Sequence, residues 1–541
     1  MMTVNAGRSQ NESARRRSSA ETKKGNSPQG VGMSIYSKER ALSGALHYLG
    51  GRVAGGVASF LTILLMVRYM VTVDYAAYTA LTGLIMLGTS VSSLGLERAV
   101  ARYVPDGVLN GKPSQLASFI RMITLYRAGA ALLFTLAIVL LWQPLTSLFA
   151  IPRSASISPA LIAMAVMGGS VFQVQSAVFQ SLMHQRLLTR VLVAQWGSRL
   201  ALALYFVYAG THISLAQAVM ILAVPEVLGA VIAHLVIRAV VNPHADSAQV
   251  DIGRQIPWPQ RKGLIEVAGY NYLFNLLAIP PQGAVMRLII AALCPPQFVA
   301  AYGFFQSLVE KARQYLPTQL LYMLIEPLLI AKYIEHGNLA TLRQRVRFLY
   351  VMNLMILGPA MALVIGMGGS LTSLLAGNRY TEYWWLLIPT LLQLVLSSQI
   401  VLQKIVLTAL DVTLRLIPAA LLGLAFYGIA LFTTVSSHAL TILPYTPLIY
   451  FAVVILNLSL HLRKVDCDVS PGAGTWLKLL ALGIFAAGVA YAVHAFSTNT
   501  LIITAMATTA AVAIFAAGSF VLGIVSRQDL LLLRRGQTNR T

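Results

Sequence analysis

The feature that most constrains this chain is a succession of apolar segments, each long enough to cross a bilayer, separated by polar or Gly/Pro-containing breaks. A helix needs about 20 apolar residues to span hydrocarbon. No water there can satisfy a bare N–H or C=O, so each segment must make its own backbone hydrogen bonds as a helix. Fourteen segments are readable, at about 42–70, 75–97, 115–148, 157–183, 187–209, 214–240, 263–293, 298–330, 345–368, 384–403, 412–434, 442–462, 475–496 and 501–526. The expected fold is an all-α polytopic membrane protein. With 57% hydrophobic and 11% charged residues among 541, one soluble core could not hide this much apolar surface.

A formal net charge of +22 would suggest nucleic acid in a soluble protein. The positions of the charges decide against that. Basic residues crowd the tail up to Arg40 and every second loop, whereas the opposite loops receive only Arg68, Arg153 and Arg379. The positive-inside rule then places both termini in the cytoplasm. Residues 1–41 read as a disordered basic tail able to touch anionic headgroups, and 527–541 as a second cytoplasmic tail. Cys294 and Cys467 fall on opposite sides of the membrane, which excludes an internal disulfide. No cofactor or metal site is expected.

Short phrases recur in order at nearly constant spacing. His47-Tyr48-Leu49 returns as Asn271-Tyr272-Leu273, Ala76-Ala77-Tyr78 as Ala300-Ala301-Tyr302, ARYVPDG from Ala101 as AKYIEHG from Ala331, and LTSLFA from Leu145 as LTSLLA from Leu371. The spacing covers six spans, and an even number of crossings gives both halves the same orientation. The expected organisation is a lobe at 42–240, a cytoplasmic linker at 241–262, a pseudo-symmetric lobe at 263–462, and two additional helices within 463–526. ARYVPDG reads as a helix exit, with Arg102 and Tyr103 as interfacial anchors and Gly107 as the stop.

Ionisable groups inside the spans are functional candidates because burying them in lipid is costly. On the first span, Tyr48, Arg52, Gly55 and Ser59 make one polar or small face. On the seventh, Asn271, Asn275 and Gln282 share a face, with Arg287 beyond a Pro280-Pro281 break whose freed carbonyls are expected to meet a cavity. The eighth places Gln306, Glu310 and Arg313 together, with Lys311 beside them. A central cationic cavity is expected, with Arg52, Arg287, Lys311 and Arg313 on an anionic group such as a phosphate. Glu310 is expected either to pair with Arg313 on the next turn or to act in coupling, and Glu266, Glu226 and His234 are further candidates for ion pairing or proton relay. Arg127 is set aside as close enough to a helix end to snorkel. Arg199 stays ambiguous beside Gln195 and Ser198. No phosphate loop, HExxH or paired-cysteine motif is present, so the chain is not expected to be an enzyme.

The stretch VRYMVTVDYAAYTAL followed by SSLGLERAVARYVPDG resembles the polysaccharide-transport branch of the multidrug/oligosaccharidyl-lipid/polysaccharide (MOP) exporter superfamily. The match rests on Arg68, Asp74-Tyr75-Ala76-Ala77-Tyr78, Leu94-Gly95-Leu96 and Arg102-Tyr103, with Ala76 where the family usually has Gly. The resemblance implies a flippase of the bacterial cytoplasmic membrane that carries a polyprenyl-diphosphate-linked oligosaccharide outward by alternating access for surface or exopolysaccharide synthesis. Implied partners are membrane lipids and a polymerase or other assembly protein. Asp74, Tyr78 and Gly95 are then fold markers. Two other readings stay open: a cation-coupled multidrug exporter of the same superfamily, or a non-transporting scaffold of a polysaccharide assembly complex.

Overall fold

The computed structural model describes residues 38–110, 113–149, 151, 157–241, 261–320, 339–410, 412–465, 467–495 and 500–524. Within them the chain is helical throughout: α1 (Lys38–Tyr69), α2 (Thr72–Val91), α3 (Leu96–Asn110), α4 (Pro113–Leu140), α5 (Trp142–Leu148), α6 (Pro159–Ser181), α7 (Gln185–Ala209) and α8 (Leu215–Val241) form the first half. The second half comprises α9 (Arg261–Ala278), α10 (Gly283–Leu293), α11 (Pro296–Arg313), α12 (Pro317–Leu320), α13 (Leu339–Ala376), α14 (Leu387–Ala409), α15 (Leu416–Ser436) and α16 (Thr446–Arg463), followed by α17 (Ala473–Ala495) and α18 (Thr500–Val521). Twelve helical stretches are long and apolar enough to cross a membrane, and the pair α2–α3, bent by 46°, makes a thirteenth if it is one span. The remaining predicted span, 298–330, extends past the described residues, as do AKYIEHG, the linker at 242–260 and the tail before Lys38.

The expected two-lobe repeat is visible in which helices touch. In the first half α1 packs on α7, α4 on α6, α8 on α6 and α8 on α7; in the second, α9 packs on α15, α13 on α14, α16 on α14 and α16 on α15. These are the same four pairings in repeat-related helices. The additional α17 and α18 pair with each other and lie against α13.

Between the lobes, α2 packs against α10 and α11. Small residues permit the close approach: a Cβ on Gly303 would stand 2.0 Å from Thr79 Oγ1, and one on Gly83 would stand 2.8 Å from the Ala284 carbonyl. Without a hydrophobic drive between helices in lipid, such small-residue contacts supply van der Waals packing instead. The echoed Ala76-Ala77 of α2 and Ala300-Ala301 of α11 are all buried, with Tyr302 1% exposed.

Two details depart from the sequence expectation. Gly107 does not end a helix, because α3 continues to Asn110. The true break lies earlier, at Leu94 and Gly95, whose φ values are +49° and +68°. Glycine is needed there: a Cβ on Gly95 would lie 2.2 Å from the Ala268 carbonyl of α9, so this family-motif corner is a contact between lobes.

Candidate functional site

A cavity of about 710 Å³ lies between the lobes, lined from α1, α2, α6, α7 and α8 on one side and α10, α11 and α12 on the other. Its charged lining comprises Arg52, Arg199, Arg287, Lys311 and Arg313 against Glu226 and Glu310, an excess of positive charge among the described residues. Arg52, Gly55 and Ser59 share a face of α1 and all reach it. Gly56 adds room, since its Cβ would clash with the Tyr315 hydroxyl, which donates to the Arg52 carbonyl at 2.7 Å.

Each lobe contributes an Arg–Glu pair in which the arginine is buried and the glutamate partly exposed. In the first, Arg199 Nη2 donates to Glu226 Oε1 at 2.7 Å, and Gln195 Nε2 donates to the other oxygen at 2.8 Å. In the second, Arg287 Nη2 donates to Glu310 Oε2 at 2.9 Å and to Ser307 Oγ at 3.1 Å, while its Nη1 crosses the seam to Thr82 Oγ1 at 3.3 Å and Met86 Sδ at 3.3 Å. Glu310 therefore pairs with Arg287 and not with Arg313 on its own helix. Trp196 joins the lobes: Lys311 Nζ sits 3.6 Å from its ring centroid and Arg199 Cζ 4.5 Å away. Cation–π contact holds a cation without neutralising it.

The other sequence candidates lie elsewhere. Asn271, Asn275 and Gln282 do not line the cavity; Asn271 accepts from Lys404 Nζ at 3.4 Å, and Gln282 is the N-cap of α10. Pro280-Pro281 breaks the helix as expected, and the carbonyls of the two prolines themselves accept from side chains, away from the cavity lining. Tyr427 Oη donates to Pro280 O at 3.2 Å and Gln393 Nε2 to Pro281 O at 2.9 Å. Of that predicted set, Arg287, beyond the break, lines the cavity. His234 is exposed on α8, away from the cavity. The side chains of Tyr48 and Glu266 fall outside the described residues.

Arg127 is a correction. It does not snorkel: its side chain is 0% exposed, its Nε donates to Ser170 O at 3.1 Å, and its Nη2 donates to Thr89 O at 2.8 Å and Gln173 Oε1 at 2.6 Å, with Glu97 Oε1 3.4 Å away. Thr89 belongs to the last turn of α2, where carbonyls lack helical partners and favour a cation. Tyr272 Oη caps the same end by donating to Val91 O at 2.9 Å. Trp196 and Tyr315 were also missed, and Arg199, ambiguous in the sequence, lines the cavity. Arg199 had a signal, because Glu226 is an intramembrane acid on the next span.

Of the family-motif residues, Asp74 lies in the first turn of α2 and Tyr78 lines the cavity. Tyr103 packs edge-on to Phe119 at 6.1 Å with the Arg102 guanidinium 5.9 Å from its ring. Arg68 closes the far side, opposite the Gly95 corner, donating Nη2 to Leu374 O at 2.7 Å and Nε to Leu375 O at 3.2 Å at the end of α13. Arg379 returns the contact, donating Nη1 to Val67 O at 2.9 Å and Met70 O at 2.6 Å. Each arginine thus sits on the helix C-terminus of the other lobe.

No family model and no curated protein matches the sequence. Solved structures do match the fold. The lipid II flippase MurJ in an inward closed conformation aligns with TM-score 0.63 and 10% identity over 91% of this chain and 100% of that one. A variant of the MATE transporter VcmN from Vibrio cholerae gives TM-score 0.54 and 15% identity over 80% and 98%. An inward-facing multidrug resistance MATE family transporter of the MOP superfamily gives 0.53 and 11% over 78% and 98%. The chain has the fold these transporters share.

Proposed function

We propose that this chain is a flippase that moves a polyprenyl-diphosphate-linked oligosaccharide from the cytoplasmic to the outer leaflet of the bacterial cytoplasmic membrane, with both termini cytoplasmic. The observation that carries the reading is the cavity between the lobes, lined by four arginines and a lysine against two glutamates. Guanidinium forks match phosphate oxygens, and the burial of Arg199 and Arg287 away from bulk water strengthens that attraction. The diphosphate is held by Arg52, Arg287, Lys311 and Arg313, the glycan occupies the polar part of the cavity, and the polyprenyl chain stays in lipid. The lobes then rock about the seam of α2 with α10 and α11. A structural neighbour named as a lipid II flippase supports this choice.

The fold is also shared with transporters of the MATE type, one of them named as a multidrug resistance transporter. A site for cationic drugs should carry an excess of carboxylates, and this cavity carries the opposite charge. The test is export of glycan to the cell surface by Arg52→Ala and Arg313→Ala chains, with protein abundance measured alongside. Export at wild-type level removes that residue from the proposal. Lys at either position keeps the charge and loses the fork, so intermediate export is expected. Cells without the protein that still flip a labelled lipid-linked glycan would favour the scaffold reading instead.

A further inference from the structure

Two arginines, one from each lobe, meet the cavity in the same chemical condition. Arg199 is 8% exposed and Arg287 3%, and both line the cavity. Each gives only Nη2 to its carboxylate, Glu226 and Glu310 respectively. Each leaves Nε buried with no acceptor among the described residues. A guanidinium binds an oxyanion most strongly through two parallel N–H bonds, and a buried donor left without an acceptor costs about 1–3 kcal/mol. The edge formed by Nε and Nη2 is thus half used in both lobes. Arg127 differs, because it spends Nε and Nη2 on backbone carbonyls that cannot leave.

The surroundings suit an exchange of anions. Lys311, held over Trp196, interacts electrostatically with Arg199, Arg287, Glu226 and Glu310 together. Neither carboxylate is fully enclosed: Glu226 is 19% and Glu310 24% exposed, so each has somewhere to go when displaced. Gly283 keeps that space open on the Glu310 side, since its Cβ would lie 2.8 Å from Glu310 Oε1.

We propose that Glu226 and Glu310 are resident placeholders for the two phosphoryl groups of the substrate, one phosphoryl taking the Nε–Nη2 edge of Arg199 and the other that of Arg287. This rests on the flippase reading and extends its binding set to Arg199. A diphosphate then bridges the lobes, whereas a monophosphate fills one edge only. The returning carboxylates compete the product off, which converts tight binding into release.

The test uses the full-length chain in lipid nanodiscs, with farnesyl diphosphate and farnesyl monophosphate as probes and calorimetry as the readout. The wild type should prefer the diphosphate. Glu226→Gln and Glu310→Gln, which keep shape and remove the competing charge, should each bind the diphosphate about tenfold tighter while exporting glycan more slowly. Arg199→Lys should lose the preference for diphosphate over monophosphate; the ratio is internal to each sample, so partial loss of folded protein does not disturb it. Wild-type preference with Gln variants that bind no more tightly, or a preference that survives in Arg199→Lys, overturns the placeholder role alone. A wild type that binds neither probe overturns the flippase reading as well.

Discussion

Arg127 offers the sharpest test of how charge is held inside this membrane protein. Its guanidinium makes three hydrogen bonds, to Ser170 O, Thr89 O and Gln173 Oε1, and stands 3.4 Å from a Glu97 carboxylate that is 28% exposed. Arg127→Met keeps much of the volume and removes all four interactions. Breaking a buried ion pair from one side costs about 3–5 kcal/mol, because the remaining charge and the uncovered carbonyls stay behind. The part due to the stranded carboxylate is the smaller one: Glu97 Oε1, facing Arg127, is buried, but the carboxylate as a whole is 28% exposed and can turn to water, so about 1 kcal/mol is its expected share. Thermal melting in one detergent should therefore rank wild type highest, Arg127→Met lowest, and Arg127→Met with Glu97→Gln in between. Arg127→Lys should also melt low, because one ammonium cannot span acceptors on α2 and α6 at once. If Arg127→Met melts with the wild type, the side chain reaches the headgroups and the buried assignment is wrong.

Gly95→Ala should abolish transport at normal protein level, because the left-handed backbone adds about 1–2 kcal/mol of strain and the new Cβ strikes α9; Gly269→Ala, where a Cβ meets nothing within 4 Å, is the neutral control. Equal activity in the two would show that the corner contact is dispensable. Removing both far-side arginines, Arg68→Ala with Arg379→Ala, should expose a cavity cysteine introduced at Ser59 to a membrane-impermeant maleimide added outside, and unchanged labelling would refute the clasp. Burial pushes the Cys294 thiol up to about 11 and the Cys467 thiol up as well. A raised thiol keeps its proton at neutral pH, so both should label slowly there, faster as pH climbs toward the raised values, and at the ordinary rate after denaturation in SDS. Native labelling as fast as denatured labelling would contradict this.

The spans were legible because hydrocarbon tolerates little besides self-satisfied helices, so length and hydropathy alone locate them. The lobes were legible through their echoes, and the echoed Ala76-Ala77 and Ala300-Ala301 are buried on α2 and α11, two helices that pack across the seam. Arg52 and Arg287 were found by a rule that treats any intramembrane charge as a candidate. The same rule failed at Arg127, where distance from a helix end was taken for access to the headgroups; the carbonyls that hold it belong to α2 and α6. Asn271 and Asn275 shared a helical face with nothing in the cavity, because the double proline ends α9 at Ala278 and a separate helix, starting at Gly283, carries Arg287.

What the sequence determined alone is what periodicity and solvent decide: an all-helical membrane protein, its repeat, and an excess of positive charge inside the spans. Which charges face one another was settled only by tertiary structure. Glu310 has Arg313 one turn away along its own helix, yet its partner is Arg287 from α10, and Arg199 finds Glu226 on α8. In a medium without water, a charge takes whichever partner the packing brings within hydrogen-bonding distance, and helix packing is set by small residues far apart in the chain, such as Gly83 and Gly303.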